Sequence, residues 1–160
     1  MESNQIAYYK TPIGTAKITG NSKGISEVTV IEEVFETSTK IPETLIECVQ
    51  QLDEYFKGER KIFNLKLNPQ GTLFQKRVWS ELLQVPYGCT RTYLEQSEIL
   101  GDVKAIRAVA SANGKNPIWI IIPCHRIIGS NGSLTGYAGG LWRKKWLLEH
   151  ENPPSQQTLF

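Results

Sequence analysis

The sequence has no apolar run that approaches the roughly 20 residues a helix needs to cross a bilayer. Its first residues, Met1–Gln5, lack the basic flank and apolar core of a signal peptide. These two absences predict a cytoplasmic protein that has no membrane partner and keeps its thiols reduced. Hydrophobic residues make up 40% and charged residues 21% of the 160 residues, as is typical of globular proteins.

Cysteine and histidine are scarce, with three cysteines and two histidines in the chain. The odd number and wide spacing of Cys48, Cys89 and Cys124 argue against a disulfide framework, and there is no Cys-x-x-Cys pair. A structural zinc site needs four ligands at suitable spacing. Cys124 and His125 are neighbours and poorly placed to chelate one ion together. We therefore expect no metal and no cofactor.

Acidic residues are absent between Val103 and Leu148, although this stretch contains seven basic residues. A long stretch of one sign indicates a polyanion partner such as nucleic acid. A solvated basic face would give the same pattern, so charge alone does not decide between them. The seven residues are Lys104, Arg107, Lys115, Arg126, Arg143, Lys144 and Lys145.

Residues 1–70 have the pattern of a small α+β supporting domain. Their β-branched residues, alternation and glycine-rich turns predict strands. The strands are expected at 6–9, 15–19, 25–34 and 62–67. Apolar residues on one face predict a helix over 43–57, which Gly58 ends. The turn-rich segment 68–71 marks the domain boundary.

Residues 71–152 change to a helical pattern and are expected to form a second domain. Helices are expected at 72–83, 93–100, 103–112 and 141–151. Gly101 separates the second and third of these, and Asp102 is suited to cap the third. Two short helices joined by a glycine-containing turn are typical of a helix-turn-helix. A flexible tail, 153–160, is expected to follow.

The most reactive motif is Pro123-Cys124-His125, which interrupts an apolar run. A helical turn that starts at the proline would place the thiol near unpaired backbone amides, which support a thiolate. Adjacent residues do not face each other on a regular helix, so either the segment is irregular or a water carries the proton to His125. Glu151 and Asp102 are both candidates to orient the imidazole. A buried structural thiol is the plain alternative.

The residues around this motif resemble the active-site signature of the O6-alkylguanine-DNA alkyltransferases. The likeness begins with the heptad Ile122-Pro123-Cys124-His125-Arg126-Ile127-Ile128 and continues in further segments that follow the order of the family. These segments are 74–79, 85–88, 107–109, 116–117, 136–141 and 145–148. The resemblance covers about 72–151 and implies an α+β fold. A small ribonuclease H-like domain would precede a mainly helical, winged-helix-like domain.

The resemblance implies DNA repair by direct reversal. Cys124 would accept the alkyl group from O6 of guanine, and from O4 of thymine, in one irreversible displacement. His125 would act as the base through a bound water, with Glu151 orienting its imidazole. Asn116 would brace the segment that positions the thiol, and Tyr93 would hydrogen-bond the guanine or press on the flanking phosphate.

The resemblance also implies how double-stranded DNA would be bound. The second helix of the helix-turn-helix would lie in the minor groove, where Arg107 would fill the stack after the alkylated base rotates out. Lys104 and Ser130 are expected to contact the DNA. An inserted side chain offsets part of the cost of extruding a base.

The glycine-rich loop between Gly129 and Gly140 would wall the base pocket with Tyr137 and Ala138. Many relatives carry a serine at position 138, whose hydroxyl can contact the substrate oxygen, whereas Ala138 offers only its backbone amide. The zinc ligands of some animal relatives are also absent. Trp119 is bulky for a pocket residue, and we hypothesise that it limits the pocket to small alkyl groups, although a plain core tryptophan is an equal alternative.

Two rival functions use the same motif. An alkyltransferase-like protein recognises the lesion without chemistry, but such proteins lack the acceptor cysteine. A cysteine hydrolase would turn over, whereas an alkyl acceptor stops after one equivalent. The final residues, Gln156–Phe160, resemble the short peptides that bind the bacterial sliding clamp, although an inert terminus is the simpler interpretation. The protein is expected to be a monomer.

Overall fold

The computed structural model describes residues Glu2–Pro153, and it divides the chain into two compact units. The first unit contains the chain up to Gln70 together with Pro117–Trp119, and the second contains Gly71–Asn116 and the chain from Ile120 onward. Most of the expected tail, including the proposed clamp peptide, lies outside the described residues. No helix within the described part is long and apolar enough to cross a membrane.

The first unit contains a three-stranded antiparallel sheet with the order β1-β2-β3. Its strands are β1 (Gln5–Thr11), β2 (Gly14–Asn21) and β3 (Gly24–Ile31). Alternate residues of a strand point to the same side, and Ala7, Ile18 and Val28 are fully buried. Helix α1 (Glu43–Phe56) packs on the sheet and buries an apolar face that includes Leu52. The sheet and this helix form the core of the unit.

The predicted strand over 62–67 is wrong, because the backbone of this segment bonds elsewhere. The side-chain amide of Gln51 donates to the Asn64 carbonyl at 3.1 Å, and its carbonyl oxygen accepts the Asn64 N–H at 2.9 Å. The segment makes only one isolated parallel bridge, between Leu67 and Ile25. A side chain has therefore taken the hydrogen-bonding groups that a strand ladder would have used.

The chain returns briefly to the first unit at Pro117–Trp119, which the sequence did not predict. The Val28 N–H donates to the Pro117 carbonyl at 2.9 Å, and the Trp119 N–H donates to the Val28 carbonyl at 2.7 Å. Ile118 between them is fully buried. Three residues are enough for one bridge beside β3, but they are too few to give a recognisable strand pattern.

The second unit is mainly helical, with one pair of short parallel strands. Its elements are α2 (Leu73–Leu82), β4 (Arg91–Thr92), α3 (Tyr93–Ile99), α4 (Ile106–Gly114), β5 (Ile127–Ile128) and α5 (Leu141–Glu151). Thr72 and Thr92 begin α2 and α3 with reciprocal capping boxes, in which Gln75 and Glu95 return the hydrogen bond. A small sheet followed by a helical domain confirms the predicted α+β fold.

Helices α3 and α4 form the predicted helix-turn-helix. Gly101 has a φ of 93° in the turn, which a residue with a side chain rarely adopts. Asp102 caps the next element, since its carboxylate accepts the Lys104 N–H at 2.9 Å. The chain first makes a 3₁₀ turn, Val103–Ala105, and becomes α-helical only at Ile106. The single helix predicted over 103–112 is therefore split at its start and ends later.

Candidate active site

Cys124 opens a 3₁₀ turn, Cys124–Arg126, directly after the buried apolar run. The side-chain amide of Asn116 donates to the Ile122 carbonyl at 2.8 Å and to the Cys124 sulfur at 3.3 Å. One buried amide thus holds both the thiol and the backbone that leads to it. The structure thus brings Asn116 and Cys124 together.

The chain enters this segment through a strained backbone. Ile120 has a φ of 73°, and it is the one residue other than glycine with a positive φ among those the structure describes. A β-branched residue in this region costs about 1–3 kcal/mol, and such strain persists only where the surroundings enforce it. The fully packed run around Ile120 and Ile122 therefore fixes the path of the chain to Cys124.

Burial controls the acidity of the thiol. Cys124 is 7% exposed, and this burial raises the pKa of its thiol to about 11, against the opposing effects of the Asn116 hydrogen bond and the Lys144 charge. The Cys124 backbone N–H gives some of the expected support, since it lowers the pKa of the thiol, but burial outweighs it. The thiol is therefore neutral at rest and needs a base.

His125 and Glu151 supply an oriented base. His125 Nε2 lies 2.7 Å from Glu151 Oε2, and both side chains are fully buried. Asp102, the other candidate for this role, caps the turn before α4 instead. Burial lowers the pKa of His125, so the imidazole is neutral. With its Nε2–H donating to the carboxylate, Nδ1 keeps a lone pair, and Nδ1 has no hydrogen-bond partner within the described residues.

Arg126 completes the charge balance of this group. Its Nε donates to Glu151 Oε1 at 2.8 Å and its Nη2 to Oε2 at 3.0 Å, while Nη1 donates to the Val85 carbonyl at 2.7 Å. Burial raises the pKa of Glu151, but His125 and Arg126 outweigh it and hold that pKa well below its usual range. Glu151 is therefore a permanent carboxylate that can orient the imidazole. No spacing rule marked Arg126 in advance.

Lys144 is a second residue that sequence reasoning missed. Its side chain is fully buried, and its ammonium group donates to the Thr135 carbonyl at 2.8 Å and to the Gly136 carbonyl at 3.4 Å. Burial lowers the pKa of Lys144 to about 8, and its charge in turn lowers the pKa of Cys124. Lys144, Leu147 and Glu151 form the buried stripe of α5, and this helical spacing could have revealed it.

Hydrogen bonds from α3 and α5 hold the glycine-rich loop in place. The Tyr93 hydroxyl donates to the Thr135 carbonyl at 2.9 Å, the same carbonyl that Lys144 binds. For the expected contact with a guanine, the Tyr93 hydroxyl would have to break its hydrogen bond to Thr135 and form one to the base. Burial raises the pKa of the Tyr137 hydroxyl well above its usual value, and Ala138 is exposed beside it.

The remaining predicted residues lie at the surface or in the other unit. Arg107 on α4, Lys104 in the turn before it and Ser130 in the loop are all exposed. Trp119 is half-buried and belongs to the first unit, where its backbone pairs with β3. Its role at the pocket stays a prediction. Across residues 2–153, no group of three or more His, Cys, Asp and Glu side chains is arranged to hold a metal ion.

Two family models together match most of the chain. The model described as 6-O-methylguanine DNA methyltransferase, ribonuclease-like domain, matches residues 5–69. The model described as 6-O-methylguanine DNA methyltransferase, DNA binding domain, matches residues 73–153. The chain is also 47% identical to the methylated-DNA–protein-cysteine methyltransferase of Methanosarcina acetivorans over 150 residues. That match covers 91% of this chain and 96% of the relative.

Solved structures give the same picture. The crystal structure of the Mycobacterium tuberculosis O6-methylguanine methyltransferase is similar at 43% identity and a TM-score of 0.83, over 93% of each chain. The crystal structure of Mycobacterium tuberculosis OGT in complex with DNA is similar at 45% identity and a TM-score of 0.82, over 90% of each chain. These likenesses extend over both units.

Proposed function

The chain belongs to the 6-O-methylguanine DNA methyltransferase family, and we propose that it repairs DNA by moving the methyl group of O6-methylguanine to Cys124. It is a methylated-DNA–protein-cysteine S-methyltransferase, and each molecule carries out the transfer only once. The observation that carries the proposal is a Cys124 thiol that precedes a buried imidazole in the chain. Glu151 binds this imidazole, and Arg126 holds Glu151 in turn. This arrangement supplies a nucleophile, a base and a fixed counter-charge.

In the reaction, the Cys124 sulfur forms a bond to the methyl carbon while the bond from that carbon to guanine O6 breaks. The thiol proton passes to His125 Nδ1, through a water because neighbouring residues do not face each other. The Glu151 carboxylate stabilises the imidazolium that forms. The guanine leaves with its electron pair on O6 and takes up a proton. The methyl–sulfur bond of the neutral thioether does not break readily, because a thiolate is a poor leaving group from it, so the protein is not regenerated.

Double-stranded DNA is the substrate, and its alkylated base must leave the helix to reach a buried thiol. Extrusion costs a few kcal/mol, which an inserted side chain offsets in part. We assign this insertion to Arg107, which is exposed on α4, and we place α4 in the minor groove. Lys104, Ser130 and the exposed basic residues of the acid-free stretch 103–148 contact phosphates, so binding weakens as salt rises. Arg126 and Lys144 of that stretch are buried and do not contribute. O4-methylthymine is a second substrate of the same site.

The residues around the pocket contribute selectivity in this proposal. Tyr93 turns its hydroxyl from the Thr135 carbonyl to the base, and Tyr137 and Ala138 wall the pocket. Because Ala138 has no hydroxyl, only its backbone amide can contact the substrate oxygen. Trp119 limits the pocket to small alkyl groups, and equal reaction rates with methylguanine and benzylguanine in DNA would refute that.

Two features of the cellular setting are also proposed. The protein acts as a monomer in the reducing cytoplasm, since the nucleophile, the base and its orienting groups come from one chain and Cys124 must stay a free thiol. The terminal peptide Gln156–Phe160 binds a bacterial sliding clamp. Deleting Leu159 and Phe160 tests the second idea, which fails if clamp binding is unchanged.

The direct test is intact-mass spectrometry after incubation with a duplex that contains O6-methylguanine, followed by peptide mapping. The proposal predicts a gain of one methylene mass on the peptide that contains Cys124. Cys124→Ser should abolish the gain, and Cys89→Ser, which alters an exposed cysteine, should retain it. A purely lesion-binding protein would bind the duplex without a gain in mass. A cysteine hydrolase would turn over without a stable adduct.

A further inference from the structure

A buried pair of amide side chains joins the two helices of the helix-turn-helix. Gln96 on α3 donates from Nε2 to Asn113 Oδ1 at 2.9 Å, and Asn113 on α4 donates from Nδ2 to Gln96 Oε1 at 2.8 Å. The two side chains are 0% and 6% exposed. Two reciprocal hydrogen bonds between planar groups set both a distance and an orientation, which one contact alone would not.

Residues one turn from the pair on each helix are buried and apolar. Val109 and Ala112 on α4 and Leu100 after α3 are buried, and the Trp79 indole N–H already holds α4 through the Ala112 carbonyl at 2.8 Å. Two buried amides are tolerated in such surroundings only if both make hydrogen bonds, because a buried amide without a hydrogen-bond partner lowers the free energy of unfolding. Satisfied buried polar groups can select one packing arrangement among several that apolar contacts would allow.

The amide pair connects the helices that carry two residues of the proposed reaction. Tyr93 begins α3, one turn before Gln96, and its hydroxyl reaches the glycine-rich loop. Arg107 lies on the first turn of α4, the same helix that ends near Asn113. A change in the packing of α3 on α4 would therefore move Arg107 relative to Tyr93.

We propose that Gln96 and Asn113 are positioning residues for base extrusion, which hold α4 against α3 so that Arg107 enters the DNA in register with Tyr93 and the pocket. This inference rests on the proposed function. It adds a requirement that applies to duplex DNA and not to a free nucleoside. A free nucleoside needs the thiol, the base and the pocket, but it needs no inserted side chain.

The test compares three double variants. Gln96→Leu with Asn113→Leu replaces the amides by apolar side chains of similar size, and Gln96→Met with Asn113→Leu is a second apolar pair. Gln96→Asn with Asn113→Gln exchanges the amides and keeps their combined length, so it serves as the rescue variant. For each, the rate of methyl transfer is measured with O6-methylguanine in a duplex and with the free nucleoside O6-methyl-2′-deoxyguanosine. Thermal unfolding establishes that each variant is folded.

The apolar pairs should lower the duplex rate about tenfold to a hundredfold, because a small misplacement of a catalytic contact has effects of that size. The nucleoside rate should stay within about twofold of the unmodified protein, and the amide exchange should recover most of the duplex rate. An unchanged ratio of the two rates in a folded apolar variant would overturn the inference. Equal losses on both substrates that the exchange does not recover would also overturn it.

A second measurement links the pair to Arg107. Arg107→Ala should cost much of the duplex rate in the unmodified protein and little in the Leu pair, since Arg107 is already misplaced there. Additive losses would contradict the inference. If the unmodified protein takes no methyl group from either substrate, the proposed function itself fails, and this result differs from any change in the ratio.

Discussion

The two units bury different kinds of polar side chain. In the described part of the first unit, the buried polar residues are Thr11, Thr15, Thr19 and Gln51, none of which is charged. The second unit buries Arg126, Lys144 and Glu151, all at most 7% exposed, together with His125. Ion pairs of the first unit, such as Arg60 with Glu54, stay at its surface.

We propose that the difference separates a supporting unit from the unit that carries the chemistry. Burying a charge costs several kcal/mol, and the attraction between paired charges often repays no more than that cost. A unit that only needs to fold can leave its charges in water, as the first unit does. The second unit accepts the cost around Cys124, where buried charges orient the imidazole and act on the thiol.

The largest effect is expected from Glu151→Gln. The change leaves the Arg126 guanidinium buried without a carboxylate, and breaking such a pair costs about 3–5 kcal/mol. The matched change in the first unit, Glu54→Gln, should cost at most about 1 kcal/mol, because its pair with Arg60 is partly solvated. Urea denaturation of the two variants measures both values. Equal losses of unfolding free energy would remove the contrast between the units.

A smaller effect is expected from Lys144→Met, which removes the buried charge near the thiol. If the pKa of Cys124 rises by about one unit, the thiolate population and the methyl-transfer rate fall about tenfold. Lys145→Met, a change at the exposed neighbour, should leave the rate with a nucleoside substrate nearly unchanged.

The pKa of Lys144 adds a pH signature to that comparison. Burial lowers this pKa to about 8, so the ammonium charge is present below this pH and is lost above it. The rate advantage of the unmodified protein over Lys144→Met should therefore shrink as the pH rises through about 8. A constant ratio between pH 6 and 9 would show that the charge does not act on the thiol.

The smallest effect is a change of stability with pH. Burial lowers the folded pKa of His125 below the unfolded value of about 6.5, so the unfolded chain takes up its proton first. Unfolding free energy should fall as the pH drops below about 6.5, by at most about 1.4 kcal/mol per unit for one proton. Below about 4.3, Glu151 adds a second loss, because its folded pKa is depressed.

Denaturation between pH 8 and 5 checks this expectation. His125→Gln should flatten the profile in that range, while His150→Gln, a change at the other histidine, which lies on α5, should keep the part that His125 causes. A profile that His125→Gln leaves unchanged would contradict a buried neutral imidazole.

The sequence predicted most helices and strands because their signals are local. Capping residues such as Thr72 and Thr92 precede apolar periodicity, and glycines mark the turns. The strand over 62–67 failed because Gln51, distant in sequence, captures the Asn64 backbone. No local pattern contains that partner, and none contains the return of Pro117–Trp119 to the first unit.

The site also contains residues that the sequence indicated and residues that only the fold identifies. The motif and its family resemblance indicated Cys124, His125, Asn116 and Glu151, and the structure brings these four together. Spacing alone left Asp102 and Glu151 equal, and only the fold separates them. Lys144 escaped notice because a lysine normally counts as a surface residue, although its position on α5 repeats that of Glu151. A charged residue that falls on the periodic buried face of a helix is therefore a sign of a buried charge.

Titration with an excess of duplex that contains O6-methylguanine tests single-use transfer to Cys124 most directly. We expect a single burst of repaired guanine equal to the number of Cys124 thiols, followed by no further repair at any later time. Repair that continues beyond one equivalent, or a full burst in Cys124→Ser, would contradict it.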